Sequence, residues 1–218
     1  KKTAGDRTHD VFRALGLSIL PAFKLPLTKY LISRSSQLLK EHGWSETSKL
    51  IVLNPAGLTV TRNWPLENYS RLARLWLQQE QLQFLVLGTS RIKEKADFLK
   101  RELRDSLINL AEKTSLAEAF AVVQHSSAVV SEDSGLMHMA WVSGIPTLAL
   151  FGSSPHYWAR PLGQHSLSLD SGDLECGACR QATCKYGDVH CLTRYTPERL
   201  LDVIQRLMMD REKEVMTA

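Results

Sequence analysis

The 218-residue sequence lacks several features that would place it in a specialised class of protein. No apolar run approaches the roughly 20 residues of a transmembrane helix. The first residues, KKTAGDRTHDVF, lack the apolar core of a signal peptide. Internal repeats and low-complexity tracts are also absent. We therefore expect a globular, cytoplasmic chain, and the absence of an initiator Met favours a piece of a longer protein.

A strong charge of one sign is also missing. The 27 Lys and Arg residues exceed the 23 Asp and Glu residues, which leaves a formal net charge of +4. This small excess favours anionic ligands or surfaces, but it is far from the charge of a nucleic-acid-binding tail. We therefore expect no nucleic-acid partner. The 44% hydrophobic and 23% charged composition is ordinary for a soluble domain, and the length allows one large domain or two small ones.

Cysteine is absent from most of the chain, because all four cysteines fall in one segment: Cys176, Cys179, Cys184 and Cys191. The first pair has the spacing of a metal knuckle, but the other spacings do not fit a standard zinc ribbon. Stable disulfides are disfavoured in a cytoplasmic chain. We expect reduced or locally paired structural thiols that organise the loop before the last helix. A structural metal site is the alternative.

The first 48 residues are predicted to form a helical segment that leads into a domain. Gly16 is predicted to end a first short helix and Gly43 a second. The stretch KLPLTKYLISRSSQLLK within it is basic and amphipathic. We interpret it as a packed linker helix with a solvated face, and a helix lying on a membrane surface is the alternative.

From about residue 49 the sequence alternates between short apolar runs and amphipathic runs. The apolar runs are LIVLN (50–54), FLVLG (84–88), SLINLA (106–111), AVVSED (128–133) and TLALFG (147–152). Helical patterns follow at 66–79, 92–103, 115–125 and from 134, and a last helix is predicted over 196–212. This alternation predicts an α/β fold with a parallel sheet covered on both faces. We assign residues 49–218 to one Rossmann-like domain, with a cysteine-rich loop at 176–191.

The tripeptide Asp133-Ser134-Gly135 stands where a predicted strand ends and a helix begins. In such sheets, ligands bind outside the carboxyl ends of the strands. Asp or Ser at this place can cap the helix, and Gly lets the backbone approach a ligand closely. The N–H groups of the first turn, together with the helix dipole, suit a phosphate or diphosphate. An ordinary capped helix without a ligand is the alternative.

A longer string that starts at Asp133, DSGLMHMAWVSGIPTLALFGSS, resembles the signature of glycosyltransferase family 9, the ADP-heptose:lipopolysaccharide heptosyltransferases. LNPAGLTVTRNWPLENYSRLA, NLAEKTSLAEAFAVVQHSSAVVSEDSG and CGACRQATCKYGDVHCLTRYTPERL resemble other segments of the family. Together they cover roughly residues 50 to 208 in the right order. The resemblance implies a GT-B type enzyme with two Rossmann-like domains facing a cleft, of which this chain resembles the C-terminal, donor-binding domain. The family's proposed catalytic base, an Asp of the N-terminal domain, has no counterpart in this chain.

The resemblance also implies roles for individual residues. Arg62 occupies the place where the family usually has Lys, and it would stabilise the leaving diphosphate. A solvated loop cation is the alternative for this residue. No Asp-x-Asp metal motif occurs in the sequence, so backbone N–H groups and cations would carry this task without a cofactor. The residues expected to bind the donor are Asn54, Gly57, Arg62, Glu94, Asp133, Ser134, Gly135, Leu136, His138 and Ser153.

The function implied by the resemblance is binding of a nucleotide-diphosphate sugar, ADP-heptose, for transfer to the lipopolysaccharide core. Such an enzyme would work in the cytoplasm, with peripheral contact to the inner face of the inner membrane. Two alternatives stay open. The chain can belong to a transferase for another activated sugar, or it can be a nucleotide-sugar-binding module without catalysis, because the base-bearing domain is absent.

Overall fold

The computed structural model describes residues 10–11, 13–16 and 27–217, so the predicted lead-in segment lies partly outside the described residues. Helix α1 (Lys29–Glu41) begins after Thr28, whose side-chain oxygen accepts a hydrogen bond from the Leu31 N–H at 3.2 Å. Leu38 and Leu39 are buried in the core of the domain, whereas Tyr30 is exposed. Helix α1 therefore packs on the domain through one side.

Six strands form one parallel sheet: β1 (Lys49–Asn54), β2 (Leu82–Gly88), β3 (Leu107–Ala111), β4 (Ala128–Glu132), β5 (Thr147–Leu150) and β6 (Ser166–Leu169). Their order is β3-β2-β1-β4-β5-β6, and every neighbouring pair is parallel. The predicted parallel α/β fold is confirmed. This order is that of the doubly wound dinucleotide-binding fold, in which ligands bind where the strand order reverses, between β1 and β4.

Helices cover both faces of the sheet. The main ones are α2 (Leu66–Leu77), α3 (Lys93–Leu103), α4 (Leu116–Val123), α5 (Gly135–Val142) and α8 (Pro197–Thr217), and α6 (His156–Ala159) and α7 (His190–Thr193) are single turns. Alternate strand residues point to opposite faces, so Ile51 and Leu53 pack with α2, α3 and α8. Leu50 and Val52 pack with α1, α4 and α5. Burying an aliphatic side chain contributes about 1.5–3 kcal/mol, which explains why the strands are apolar on both faces.

Two helix starts have the predicted caps. Ser115 accepts a hydrogen bond from the Glu118 N–H at 3.2 Å, and Glu118 accepts one from the Ser115 N–H at 2.9 Å, which confirms the capping box. Thr196 accepts from the Arg199 N–H at 3.3 Å and starts α8. This helix continues to Thr217, past the predicted end at 212. Across the described ranges, none of the helices combines the length and the apolar character needed to span a membrane.

Strand β6 was not predicted from the sequence. Its residues alternate between Ser and Leu, and Leu167 is 41% exposed, because the strand lies at the edge of the sheet. An edge strand that contributes a single buried residue, Leu169, to the core needs no continuous apolar run. Strand β6 therefore lacks the continuous apolar run that predicts the other strands.

Candidate functional site

The carboxyl ends of β1 and β4 are joined by one side-chain amide. Asn54, the last residue of β1, is 1% exposed. Its Nδ2 donates to Ser131 Oγ at 2.8 Å and to Ser134 Oγ at 2.6 Å. Ser131 is also its partner in the strand register. Asn54 thereby fixes the segment that follows β4 against the start of the loop that follows β1.

A cavity of about 1170 Å³ opens along this edge of the sheet. Segments that follow β1, β2, β3 and β4 contribute to its wall, as expected at the switch point of a doubly wound sheet. Its volume slightly exceeds the about 300–1,000 Å³ of ordinary ligand pockets, so it can accommodate a ligand as large as a nucleotide sugar. The predicted site residues in the wall are Asn54, Gly57, Asp133, Ser134, Gly135 and Leu136.

The start of α5 faces this cavity without a side-chain cap. Ser134 is the N-cap residue, but its side chain makes no capping hydrogen bond, because its hydroxyl accepts from the Asn54 amide. An added Cβ at Gly135 would have no neighbouring atom within 4 Å. The protein itself therefore does not require glycine at this position. The first N–H groups of α5 remain without a side-chain acceptor, which is the arrangement that binds anions at helix starts.

Arg62 reaches the same strand end from the loop after β1. It closes a single 3-10 turn, Val60–Arg62, and its Nη1 lies 3.7 Å from Asp133 Oδ2. Both side chains are partly buried, at 30% and 16% exposure. The structure thus brings these two predicted residues together as an ion pair. Arg62 lies beside the large cavity and is not part of its wall.

His138 lies one turn inside α5, where it is half-buried. Its Nδ1 accepts a hydrogen bond from Trp141 Nε1 at 3.0 Å, so a neutral ring carries its proton on Nε2. Burial lowers the pKa of His138, and the nearby Asp133 charge opposes this effect. This bond gives His138 a structural partner within its own helix, and the side chain is not in the wall of the large cavity.

Two other predicted residues lie away from the cavity. Glu94 is exposed in the first turn of α3. Ser153 is 2% exposed, and its Oγ lies 2.9 Å from Thr61 Oγ1, beneath the turn that presents Arg62. The structure therefore does not bring Glu94 or Ser153 to the wall formed by the other predicted residues. The reason for Glu94 is geometric, since the next residue of the helix, Lys95, points into the site instead.

Glu132 is a charged residue of the site to which the sequence analysis assigned no role. Its side chain is fully buried at the end of β4. It accepts hydrogen bonds from the Gly57 N–H at 2.5 Å and from the Trp64 N–H at 2.7 Å. Burial raises the pKa of Glu132 to about 7, while Lys95 and the two N–H groups act in the opposite direction. A carboxyl group within a buried strand is costly unless it is bonded, and that signal could have identified it.

Lys95 is the second residue that the sequence analysis missed. Its Nζ donates to the Pro55 carbonyl oxygen and to Asn63 Oδ1, both at 2.8 Å. Burial lowers the pKa of Lys95, and attraction to Glu132 opposes this shift. The residue lines the large cavity and a smaller one of about 240 Å³ next to it. Its spacing from Ile92 and Leu99 places it on the apolar side of α3, which is the signal available in the sequence.

The four cysteines line a separate cavity of about 190 Å³ behind the Arg62 turn. All four are free thiols. Burial raises the pKa of Cys191 to about 11, whereas backbone N–H groups, first that of Tyr186, lower the pKa of Cys184. In the part of the chain that the structure describes, no group of three or more His, Cys, Asp or Glu side chains is arranged to hold a metal ion.

The cysteine-rich loop supports the loop after β1. Thr61 Oγ1 donates to the Gln181 carbonyl oxygen at 2.5 Å, and the Arg180 N–H donates to the Ser153 carbonyl oxygen at 2.8 Å. Thr61 is buried directly before Arg62. The loop at 176–191 therefore packs against the turn that presents Arg62, and it does more than connect β6 to α8.

The sequence and the fold are similar to those of known heptosyltransferases. A lipooligosaccharide heptosyltransferase 2 of Haemophilus influenzae is 30% identical over 151 residues, which are 67% of this chain and 43% of that protein. The structure of Escherichia coli ADP-heptose lps heptosyltransferase II matches with a TM-score of 0.72 and 23% identity, over 89% of this chain and 55% of that one. Escherichia coli heptosyltransferase WaaC with ADP-2-deoxy-2-fluoro heptose matches with a TM-score of 0.60 and 19% identity, over 92% and 55%.

The chain spans about half the length of the curated relatives it matches, from 43% to 64% of their sequences. At these identities the two solved structures show a common fold and no more. The sequence profile of glycosyltransferase family 9 (heptosyltransferase), however, matches residues 6–190, which is most of the chain. The signature around Asp133, the GT-B type neighbours and this match agree, and the chain belongs to glycosyltransferase family 9.

Proposed function

We propose that this chain is the donor-binding part of a heptosyltransferase and that it binds a nucleotide-diphosphate sugar at the carboxyl edge of its sheet. The observation that carries the proposal is the large cavity at the β1–β4 switch point, with the uncapped start of α5 in its wall. A diphosphate placed there would accept hydrogen bonds from the N–H groups of Gly135 and Leu136. The family membership supports the same location for the donor.

In the proposed reaction, the leaving diphosphate gains negative charge as the bond to the sugar breaks. Groups that are already oriented toward that charge lower the barrier most. The N–H groups at the start of α5 and the Arg62 guanidinium are the groups that this chain offers. Asp133, which pairs with Arg62 at 3.7 Å, is then available to accept hydrogen bonds from the hydroxyl groups of the donor sugar.

ADP-heptose is the donor that we propose. Its support comes from the solved neighbours, one of which is described as an ADP-heptose lps heptosyltransferase II, while another holds ADP-2-deoxy-2-fluoro heptose. An enzyme that transfers a different activated sugar would use the same edge of the sheet. The nucleotide base and the sugar therefore have to be measured on this chain.

Our proposal also covers the catalytic base and the site that binds the acceptor. We place both in the part of the relatives' length that this chain does not span. The acceptor would be the lipopolysaccharide core, reached from the cytoplasm at the inner face of the inner membrane. On this proposal the chain binds the donor by itself but transfers sugar only together with an acceptor-binding domain.

Ligand-dependent stability tests the proposal directly. A ligand that binds only the folded state adds about 2.7 kcal/mol at a hundredfold excess over Kd, which raises the melting temperature of a chain of this size by roughly 5–10 °C. We expect ADP-heptose and ADP to give this shift, and UDP, GDP and CMP sugars to give much less. A larger shift with another nucleotide sugar would identify a different donor. No shift with any of them would reject the proposal.

Amide exchange locates the site in the same samples. ADP should protect the backbone N–H groups of residues 134–137, because these groups would bond to the diphosphate. Protection confined to other parts of the chain would contradict the site, even where ADP binds. Joining the chain to the part of a relative that it does not span, and measuring transfer, separates an enzyme from a binding module without catalysis.

A further inference from the structure

The loop of residues 55–65 joins β1 to α2 and carries Arg62 near its end. We call its first residues, 55–57, the first stem and its residues 62–64 the second stem. The two stems lie against each other at Gly57. A Cβ added to Gly57 would collide with the Arg62 carbonyl oxygen and lie 2.6 Å from Asn63 Oδ1. Only glycine allows this close approach. The position of Arg62 therefore depends on how firmly the two stems are held together.

Two ionisable side chains from outside the loop each bond to both stems. Lys95 of α3 donates to the Pro55 carbonyl oxygen on the first stem and to Asn63 Oδ1 on the second. Glu132 of β4 accepts from the Gly57 N–H on the first stem and from the Trp64 N–H on the second. The ammonium group binds the acceptors of the loop, and the carboxyl group binds its donors.

We propose that Lys95 is a positioning residue that, together with Glu132, holds the 55–65 loop so that Arg62 is presented to the donor diphosphate. The proposal rests on the proposed function, since it assumes a phosphate beside Arg62. Two of the three donors of the Lys95 ammonium are already used within the loop. Lys95 therefore acts on the ligand through Arg62. The competing role is a direct bond from its third donor to the phosphate, because Lys95 also lines the large cavity.

Lys100 provides a matched control on the same helix. Its Nζ donates to the carbonyl oxygens of Arg104 and Leu107, both at 2.7 Å. It resembles Lys95 in having two oxygen partners, but it is absent from the walls of both cavities that Lys95 lines. Lys95→Met and Lys100→Met each remove two such hydrogen bonds and keep the aliphatic stem. Only Lys95→Met should affect the site.

Amide hydrogen exchange in the nucleotide-free chain tests whether the loop is held in this way. In Lys95→Met, the Gly57 and Trp64 N–H groups should exchange at least about tenfold faster, which is the effect expected from losing a charge-assisted hydrogen bond. Lys100→Met should leave both amides as in the wild type. Unchanged exchange in Lys95→Met would overturn the proposal. Should Lys95→Met not fold, Asn63→Ala removes one acceptor of the ammonium. Faster exchange of the Gly57 and Trp64 amides in Asn63→Ala than in the wild type then supports the proposal, and unchanged exchange overturns it.

Nucleotide affinity then separates positioning from direct contact. Calorimetry should show at least about tenfold weaker ADP binding for Lys95→Met and unchanged binding for Lys100→Met. If Lys95 acts through Arg62, then adding Lys95→Met to Arg62→Ala should weaken ADP binding by less than a further twofold. Independent, multiplying losses would show that Lys95 contacts the phosphate itself and would overturn the positioning role.

Two further outcomes have distinct meanings. Faster exchange in Lys95→Met with unchanged ADP affinity would reduce the Lys95 bonds to a structural role in the loop and would overturn the proposal. If the wild-type chain itself fails to bind ADP, the proposed function fails, and with it the role of Lys95 toward a phosphate. The exchange measurement alone then shows whether Lys95 holds the loop, so the two failures are distinguishable.

Discussion

Replacing Glu132 by Gln should change how the stability of the protein depends on pH. The side chain is fully buried, and its pKa lies at about 7 in the folded chain instead of the ordinary 4.5. Between these two pH values the folded state keeps a proton that the unfolded state releases. The free energy of unfolding therefore falls as the pH rises through this window. Below 4.5 and well above 7 this group adds no further pH dependence.

The size of the effect follows from the two pKa values. Their difference, 7 minus 4.5, corresponds to roughly 3 kcal/mol for the whole window. Between pH 5 and pH 8, about 2.5 kcal/mol of it should appear, because part of the window lies below pH 5. Gln at this position does not titrate. It can keep only one of the two hydrogen bonds from Gly57 and Trp64, which lowers its stability by a pH-independent amount.

Urea unfolding of both proteins at several pH values measures the effect. The stability of the wild type minus that of Glu132→Gln should fall by about 2.5 kcal/mol from pH 5 to pH 8. Both proteins contain the same histidines, so histidine titration cancels in the difference. Glu67→Gln, at an exposed position of α2, is the control and should differ from the wild type by a nearly constant amount. A constant difference for Glu132→Gln, or one that rises with pH, would refute the reasoning.

Three further predictions concern the ligand and the cysteines. Arg62→Ala should weaken ADP binding by about 1.5–3 kcal/mol in calorimetry and leave adenosine binding unchanged, with Arg62→Lys recovering part of the loss; equal losses for ADP and adenosine would show that Arg62 only supports its loop. ADP affinity should be insensitive to EDTA, because the sequence has no Asp-x-Asp motif, and a large loss that magnesium restores would contradict this. Elemental and thiol analysis should find four reduced cysteines and no stoichiometric zinc or iron, whereas one metal ion per chain would make the 190 Å³ cavity a metal site.

The fold could be predicted from the sequence where burial on two faces leaves a simple pattern. Five strands are largely apolar because each contributes residues to the cores on both faces of the sheet, and their alternation with helices indicates the parallel arrangement. The Ser115–Glu118 capping box was visible for a similar reason, since all its partners are local in sequence. Strand β6 buries Leu169 alone among its four residues and contains two Ser residues, so its pattern is no stronger than that of a loop.

The candidate site was predictable only in part, because sequence patterns indicate which strand ends meet but not which side chains bond. The Asp133–Ser134–Gly135 start of α5 and the Arg62 turn do meet, as the parallel sheet requires. By contrast, Asp133 or Ser134 was expected to be able to cap α5, but the Ser134 hydroxyl accepts a hydrogen bond from the Asn54 amide and no side chain caps the helix. The bonds of Glu132 and Lys95 join residues more than 30 positions apart, and no local pattern contains them.

The Arg62–Asp133 ion pair connects the two parts of the proposed ligand. At 3.7 Å and with both groups partly exposed, the pair is weak, so a diphosphate with two or more negative charges can displace the single carboxylate from the guanidinium. Asp133 then loses its partner next to the place where the donor sugar would lie, and a sugar hydroxyl can replace it. On the proposed function, phosphate recognition by Arg62 and sugar recognition by Asp133 are therefore one exchange of partners. That exchange requires Arg62 to stay within reach of Asp133. On the proposed positioning role, the bonds of Lys95 and Glu132 hold the 55–65 loop and thereby keep Arg62 there.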